Sequence, residues 1–175
     1  MTFDLAEARQ ILEGTPASLR ATLGDLSNPW LDADEGEGTW TPRQALAHLT
    51  YVEQNDWIGR IETILERGTD EVLGPVDREA GFERYAGWPV GRVLERFAEL
   101  RTANLGLLDA LAISGDDLRR EGRHAVFGVV TLEQLLATWA VHDLNHQSQI
   151  VKTLAKRYRD AIGPWRAFAN VVDLP

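Results

Sequence analysis

The sequence contains no cysteine. That removes disulfides, thiolate zinc sites and a cysteine nucleophile together, and it fits a reducing cytoplasm. No apolar run approaches the roughly 20 residues that a membrane span needs. The stretch from Met1 to Arg9 is amphipathic and charged, without the uninterrupted apolar segment of a signal peptide. Positive charge is thin: 18 Lys and Arg face 27 Asp and Glu, a net charge of −9. No basic stripe appears, and such a surface repels phosphate backbones, which argues against nucleic acid as a partner. Strand signals are sparse, because the β-branched residues never alternate over a long run. These absences leave a soluble, cytoplasmic, mostly helical chain with no membrane partner. Its 175 residues suffice for one domain, 1–175, with a proper core.

Helical patterns fill most of it. Phe3 to Glu13 reads as a short helix stopped at Gly14, and Thr15-Pro16 reads as the cap and first residue of another, which ends at Asn28-Pro29. Thr41-Pro42-Arg43-Gln44 is a Thr-x-x-Gln capping box with Pro in the first helical position. From it a helix is expected to about Arg67, with Ala45, Leu49, Val52, Ile58, Ile61 and Leu65 on its buried side. Trp88-Pro89 opens a third long helix, to about residue 112. Thr131-Leu132-Glu133-Gln134 is a second capping box and starts a fourth, to about Tyr158. Residues 68–87 and 118–130 read as loop, and Trp165 to Val172 as a last short helix. Four long helices, near 15–25, 42–67, 89–112 and 131–158, make an all-α four-helix bundle the expected fold. The middle connections exceed the usual 2–8 residues of a bundle, so one of them is expected to cross over.

The fourth helix carries two of the four histidines. Leu132, Leu135, Leu136, Trp139, Ile150 and Leu154 recur at the spacing of one helix face, and His142 and His146 fall on that same face. Side chains at i and i+4 stack on one side. His48 occupies a core position of the second helix, between Ala45 and Val52. Burying an imidazole is costly unless it is hydrogen-bonded. One reading makes the three satisfied core residues; the other gives them a shared divalent metal. Three imidazoles suit zinc, nickel, copper or ferrous iron, and three protein ligands leave a position open for water or substrate.

Other polar residues sit near these faces. Gln149 and Asn55 are candidates to hydrogen-bond the ligands or a substrate, or simply to face water at the bundle mouth. Asp143, about 100° round the helix from His142, either orients an imidazole from behind or pairs with an Arg. His124, in a Gly-flanked connector, reads as a surface or cap residue. The acidic run Asp32, Asp34, Glu35 and Glu37 fails as a calcium loop: Gly36 stands one place early and Arg43 where the bidentate Glu belongs. No Ser/His/Asp triad, phosphate-binding loop or dinucleotide fingerprint can be assembled.

The segments Trp40-Thr-Pro-Arg-Gln-Ala-Leu-Ala-His48-Leu and Phe127-Gly-Val-Val-Thr-Leu-Glu-Gln through His142-Asp-Leu-Asn-His146-Gln-Ser-Gln-Ile150 resemble the two motifs of the DinB-like superfamily. The resemblance implies a four-helix bundle of up-down-down-up order. It also implies a metal triad of His48, His142 and His146, binding zinc or nickel. Members of that superfamily include S-transferases that use bacillithiol, mycothiol or glutathione, a mycothiol-dependent isomerase, and many proteins labelled metal-dependent hydrolases. The resemblance therefore implies a small-molecule substrate, with a low-molecular-weight thiol as co-substrate and a role in stress. The alternatives are hydrolysis, and a non-catalytic metal-binding protein. Superfamily members are often dimers, and six Trp in 175 residues, with Trp30, Trp88 and Trp165 near helix ends, suggest a homodimer through aromatic surface.

Overall fold

A computed structural model describes residues 2–174. Its principal helices are α1 (Leu5–Leu23), α3 (Pro42–Asn55) continued by α4 (Trp57–Arg67), α6 (Val90–Ala110) and α7 (Leu132–Lys156). Two short helices, α2 (Asn28–Leu31) and α5 (Ala80–Arg84), lie in the connections. Strands β1 (Val72–Leu73), β2 (Glu121–His124) and β3 (Gly128–Thr131) form one small sheet, with β1 parallel and β3 antiparallel to β2.

Two apolar clusters set the helix directions. One joins Leu19 and Leu23 of α1, Ala45 and Leu49 of α3, Val93 and Phe97 of α6, and Ile150 of α7. The other joins Leu12 of α1, Trp57 and Ile61 of α4, Leu105 and Leu108 of α6, and Leu132 and Trp139 of α7. The first therefore gathers late residues of α1 and α7 with early residues of α3 and α6. Hence α1 and α7 run one way and α3–α4 and α6 the other, which is the up-down-down-up bundle. Because α3–α4 and α6 are parallel, the chain recrosses the bundle between Arg67 and Val90, and β1 and α5 lie on that crossing. Gly81 lets α5 press against α3: a Cβ there would stand 2.5 Å from the Ala47 carbonyl oxygen.

Both capping boxes form. Thr41 accepts from the Gln44 N–H at 3.1 Å and Gln44 returns the bond to the Thr41 N–H at 2.9 Å. Thr131 and Gln134 repeat the arrangement at 3.2 and 2.9 Å.

Several expectations are corrected. Helix α1 runs through Gly14, Thr15 and Pro16 without a stop. A mid-helix Gly costs only about 1 kcal/mol, and the bond that Pro16 cannot make to the Leu12 carbonyl is replaced by Arg101, whose Nη1 donates to that oxygen at 2.7 Å. Asn28-Pro29 begins α2 rather than ending a helix. The second long helix bends at Asp56 (φ −120°, ψ −62°). Asp56 N still bonds Val52 O and Arg60 N still bonds Asp56 O, so the bend changes direction without ending the helix. The connector 118–130 is a β-hairpin, missed because its strands are four residues each and too short for alternation to register. Gly122 admits it against α4, since a Cβ would lie 2.6 Å from Ile64 Cγ1. Residues 163–173 form 3₁₀ turns in place of an α-helix.

Candidate metal centre

The site begins with a clasp behind it. Arg101, 1% exposed, uses all five of its N–H donors. Nε and Nη2 donate to Glu53 at 2.8 Å each, Nη1 and Nη2 to Asp143 at 2.6 and 3.1 Å, and Nη1 also to the Leu12 carbonyl. Asn104 Nδ2 and Trp139 Nε1 donate to the Glu53 carboxylate at 3.0 and 3.2 Å. The clasp thus joins α1, α3, α6 and α7, and its carboxylates hold the Arg101 guanidinium above its ordinary pKa against the effect of burial. By gripping Asp143 it fixes the rotation of α7, and the residues about 60–100° round from Asp143 on one side are turned toward the cavity side of the core.

Those residues are the histidines. Nitrogens of His48, His142 and His146 all lie within 4.8 Å of one another, and His48 Nε2 stands 3.1 Å from His142 Nε2. His48 is 4% exposed and His146 5%. His48 Nδ1 donates to the Arg78 carbonyl at 2.9 Å, and His146 Nδ1 donates to Gln149 Oε1 at 2.8 Å. These partners leave both Nε2 atoms bare in the neutral rings. His142 Nδ1 is buried without a partner among the described residues. Burial, with the neighbouring imidazoles adding to it, lowers His142 to about 3 and His48 to about 4, and burial lowers His146 as well. Three neutral imidazoles therefore face one another at pH 7.

Trp40 covers them. Held just outside the α3 capping box, its ring is parallel to His146 at 5.7 Å and lies 5.0 Å from both His48 and Phe82. The Arg78 guanidinium sits over the Trp40 ring, 5.2 Å from its centre. That exposed guanidinium has no carboxylate partner among the described residues, and its charge depresses all three imidazoles.

Two clefts meet at the imidazoles. A cavity of about 470 Å³ extends from His48, His142 and His146 between α3–α4, α7 and the hairpin, walled by Val52, Trp57, Leu73, Val76, Phe127 and Leu135. The Trp57 indole N–H on this wall has no acceptor among the described residues. A second cleft, also about 470 Å³, opens on the other side of His146, lined by Arg78, Asn145, Ser148, Gln149 and Lys152. His146, Asn145 and Arg78 belong to both.

The remaining candidates fall elsewhere. Asp143 takes the second of its two expected roles: it pairs with Arg101 and makes no hydrogen bond to an imidazole. Asn55 is exposed, donates to the Tyr51 carbonyl at 2.8 Å and lines a separate groove. Gln149 reaches His146, though on the polar side and away from the apolar cavity. His124 caps the hairpin turn, one of the two roles expected of it, and also lines the apolar cavity. Its Nδ1 accepts from the Val126 and Phe127 N–H groups at 3.1 and 3.3 Å, leaving Nε2 to carry the proton. Asp56, raised by burial against the opposing pull of Arg60, shares that wall. The acidic loop is engaged by the protein itself: Glu35 accepts from Lys156 and Thr153, and Asp32 from Arg43.

A family profile described as the DinB superfamily matches residues 11–150. The chain belongs to the DinB superfamily. A protein of Oceanobacillus iheyensis named "Putative metal-dependent hydrolase OB0782" is 29% identical to it over 147 residues, 83% of each chain. Among solved structures, YfiT from Bacillus subtilis, described as "a probable metal-dependent hydrolase with an unusual four-helix bundle topology", is 26% identical with a TM-score of 0.74, over 87% of this chain and 86% of that one. TT2238, described as a four-helix bundle protein, is 22% identical with a TM-score of 0.55 over 85% and 98%, a likeness of fold. Among the described residues of this DinB chain no helix is long and apolar enough to cross a membrane.

Proposed function

We propose that this DinB-superfamily chain is a metal-dependent enzyme that transfers a small thiol to an apolar electrophile. The observation that carries this reading is the pair of dissimilar clefts meeting at His146. A hydrolase needs one substrate pocket and water; two pockets of opposite character suit two organic substrates.

The residues fit a divalent ion, zinc or nickel. Two nitrogens each about 2.0–2.1 Å from a common ion stand roughly 3–3.4 Å apart, and His48 and His142 present Nε2 atoms at 3.1 Å. With His48 Nε2 bare, His142 donates to it from Nε2–H in the metal-free chain, and moving that proton to the unpartnered Nδ1 would turn both Nε2 lone pairs toward a shared cation. Such an ion acts as a Lewis acid and lowers the pKa of a thiol or water that reaches it, so the chain needs no cysteine of its own.

The protein groups then have separate tasks. Arg78 anchors a carboxylate of the thiol at the polar cleft, and Asn145, Ser148 and Gln149 offer hydrogen bonds to its hydroxyl or amide groups. Val52, Leu73, Val76 and Phe127 hold the electrophile and exclude water from it. The Trp57 indole N–H and His124 Nε2–H supply donors to the electrophile's polar end. The names of relatives favour hydrolysis as the second reading.

The test is a panel of electrophiles offered with bacillithiol, mycothiol, glutathione or no thiol, before and after chelation. Turnover that requires both metal and a thiol is expected. Equal turnover without thiol assigns hydrolysis instead, and metal-loaded protein that turns over nothing assigns a binding role.

A further inference from the structure

We propose that His124 and Asp56 form a second polar subsite in the apolar cavity, one that selects electrophiles whose far end carries a hydroxyl group. The inference deepens the thiol-transfer reading, on which it rests for the word electrophile. The hairpin and β1 place the first residue. His124 ends β2 opposite Leu73 of β1 and Gly128 of β3, and the next residue, Ala125, donates to the Leu73 carbonyl at 3.1 Å. Gly128, at φ +74°, lets the chain turn back. The ring is held as firmly as the backbone. Its Nδ1 accepts from two turn N–H groups, and the Phe127 ring lies 4.6 Å away at 21° to it. Burial and Arg60 keep the imidazole below its ordinary pKa, against the opposing pull of Asp56. It is therefore neutral at pH 7, with its one proton on Nε2. That N–H has no acceptor among the described residues.

The bend in the second long helix places the other residue. Asp56 stands where α3 passes into α4, and its side chain is 13% exposed. Its Oδ1 accepts from Arg60 Nε, while Arg60 Nη2 donates to the Gly74 carbonyl at 2.6 Å and so pins the crossing beside α4. That task leaves Asp56 Oδ2 without a donor among the described residues. Asp56 and His124 line the same cavity, whose nearer walls are Val52, Trp57, Leu73 and Phe127. An open donor and an open acceptor thus share an apolar enclosure, where unmet polar groups are costly. Their chemistry names the ligand. A carboxylate would suit the imidazole N–H and repel Asp56. An ammonium would suit Asp56 and meet the imidazole proton head-on. A carbonyl or nitro oxygen leaves Asp56 unmet. A hydroxyl accepts from His124 and donates to Asp56, which satisfies both. Because the cavity extends from the metal centre to the hairpin, a molecule whose hydroxyl meets His124 points its other end at the three imidazoles.

The experiment is calorimetric titration of the metal-loaded full chain, and of H124F and D56N, with three inert ligands: phenylbutanol bearing a terminal hydroxyl, its methyl ether, and butylbenzene. The wild type is expected to bind the alcohol about 10–100-fold more tightly than the ether, the range of a hydrogen bond to a charged group. Each variant is expected to lose most of that preference and to keep its affinity for the ether and for butylbenzene, which reports an intact cavity. Equal affinity for alcohol and ether in the wild type, a preference that survives both variants, or failure of all three ligands to bind would overturn the proposal. So would a variant that loses alcohol and ether alike, since its residue would then shape the cavity and not read the hydroxyl. None of the ligands carries an electrophilic carbon, so the outcome stands apart from turnover. An alcohol preference without thiol transfer removes the earlier reading and keeps the subsite; thiol transfer without a preference does the reverse.

Discussion

Pro16 and Arg101 share one carbonyl. Pro16 has no N–H to give to Leu12 O, and Arg101 Nη1 occupies that oxygen at 2.7 Å. A proline in mid-helix ordinarily costs about 3 kcal/mol; here the orphaned acceptor becomes the fifth bond of a buried guanidinium.

The first prediction follows from that geometry. R101M leaves Glu53 and Asp143 buried without their cation, a loss of about 3–5 kcal/mol, which is a large share of the roughly 5–15 kcal/mol that holds a domain folded. P16A is expected to lose nothing, since a carbonyl oxygen has two lone pairs and accepts both the restored N–H and Arg101. Urea unfolding of the two variants checks the contrast, and equal destabilisation would contradict it.

A second prediction concerns Gln149. Its side-chain oxygen fixes the His146 tautomer by accepting from Nδ1 at 2.8 Å. Removing a partner of this kind typically weakens metal affinity about 10–100-fold. Competition with a chromophoric chelator should place Q149A in that range, with the fold unchanged, and an unaltered affinity would deny Gln149 the role.

Much of this was legible in the chain. The two capping boxes fixed the starts of α3 and α7, and the i, i+4 spacing on an apolar face located His142 and His146. Of the clasp only one end was legible, the pairing of Asp143 with an Arg; Arg101 itself and Glu53 were not, although Arg101 stands among Leu94, Phe97, Leu105 and Leu108 at core spacing just as the histidines do on α7. Its partners Glu53 and Asp143 come from other helices, and no spacing within one helix reveals them. Trp40 and Arg78 escaped for a similar reason: both lie in connections, and only the close approach at Gly81 brings the second of them to His48. The bend at Asp56 shifts the buried side of the second long helix: beyond it Trp57, Ile61 and Ile64 are buried, while Ile58 and Leu65, expected there, are only partly so.

The third prediction is a pH dependence. His48 and His142 titrate in the folded chain near 4 and 3, against about 6.5 when unfolded. The unfolded chain therefore binds more protons between those values. The stabilising contribution of the neutral rings is fully present above pH 6.5 and is lost as pH falls toward 3. For the metal-free protein each ring contributes a slope of up to about 1.4 kcal/mol per pH unit in that window. Melting temperatures of metal-free wild type should fall from pH 6.5 to 4, and those of a H48A/H142A variant should fall less.

The fourth prediction isolates the polar cleft. R78A removes a guanidinium that has no carboxylate partner among the described residues, so the fold should hold. Losing a charged hydrogen bond worth about 1.5–3 kcal/mol should raise KM for an anionic thiol by roughly 10–100-fold and leave KM for an uncharged electrophile unchanged. A rise in both alike would place Arg78 outside the thiol's cleft.

The central claim is that His48, His142 and His146 together hold one divalent ion. The most direct measurement is metal content per chain by mass spectrometry of the purified protein, set beside that of H48A/H142A/H146A. About one ion per chain in the wild type, as one three-imidazole site requires, and none in the triple variant is the result the account predicts. Equal metal content in the two proteins would contradict it.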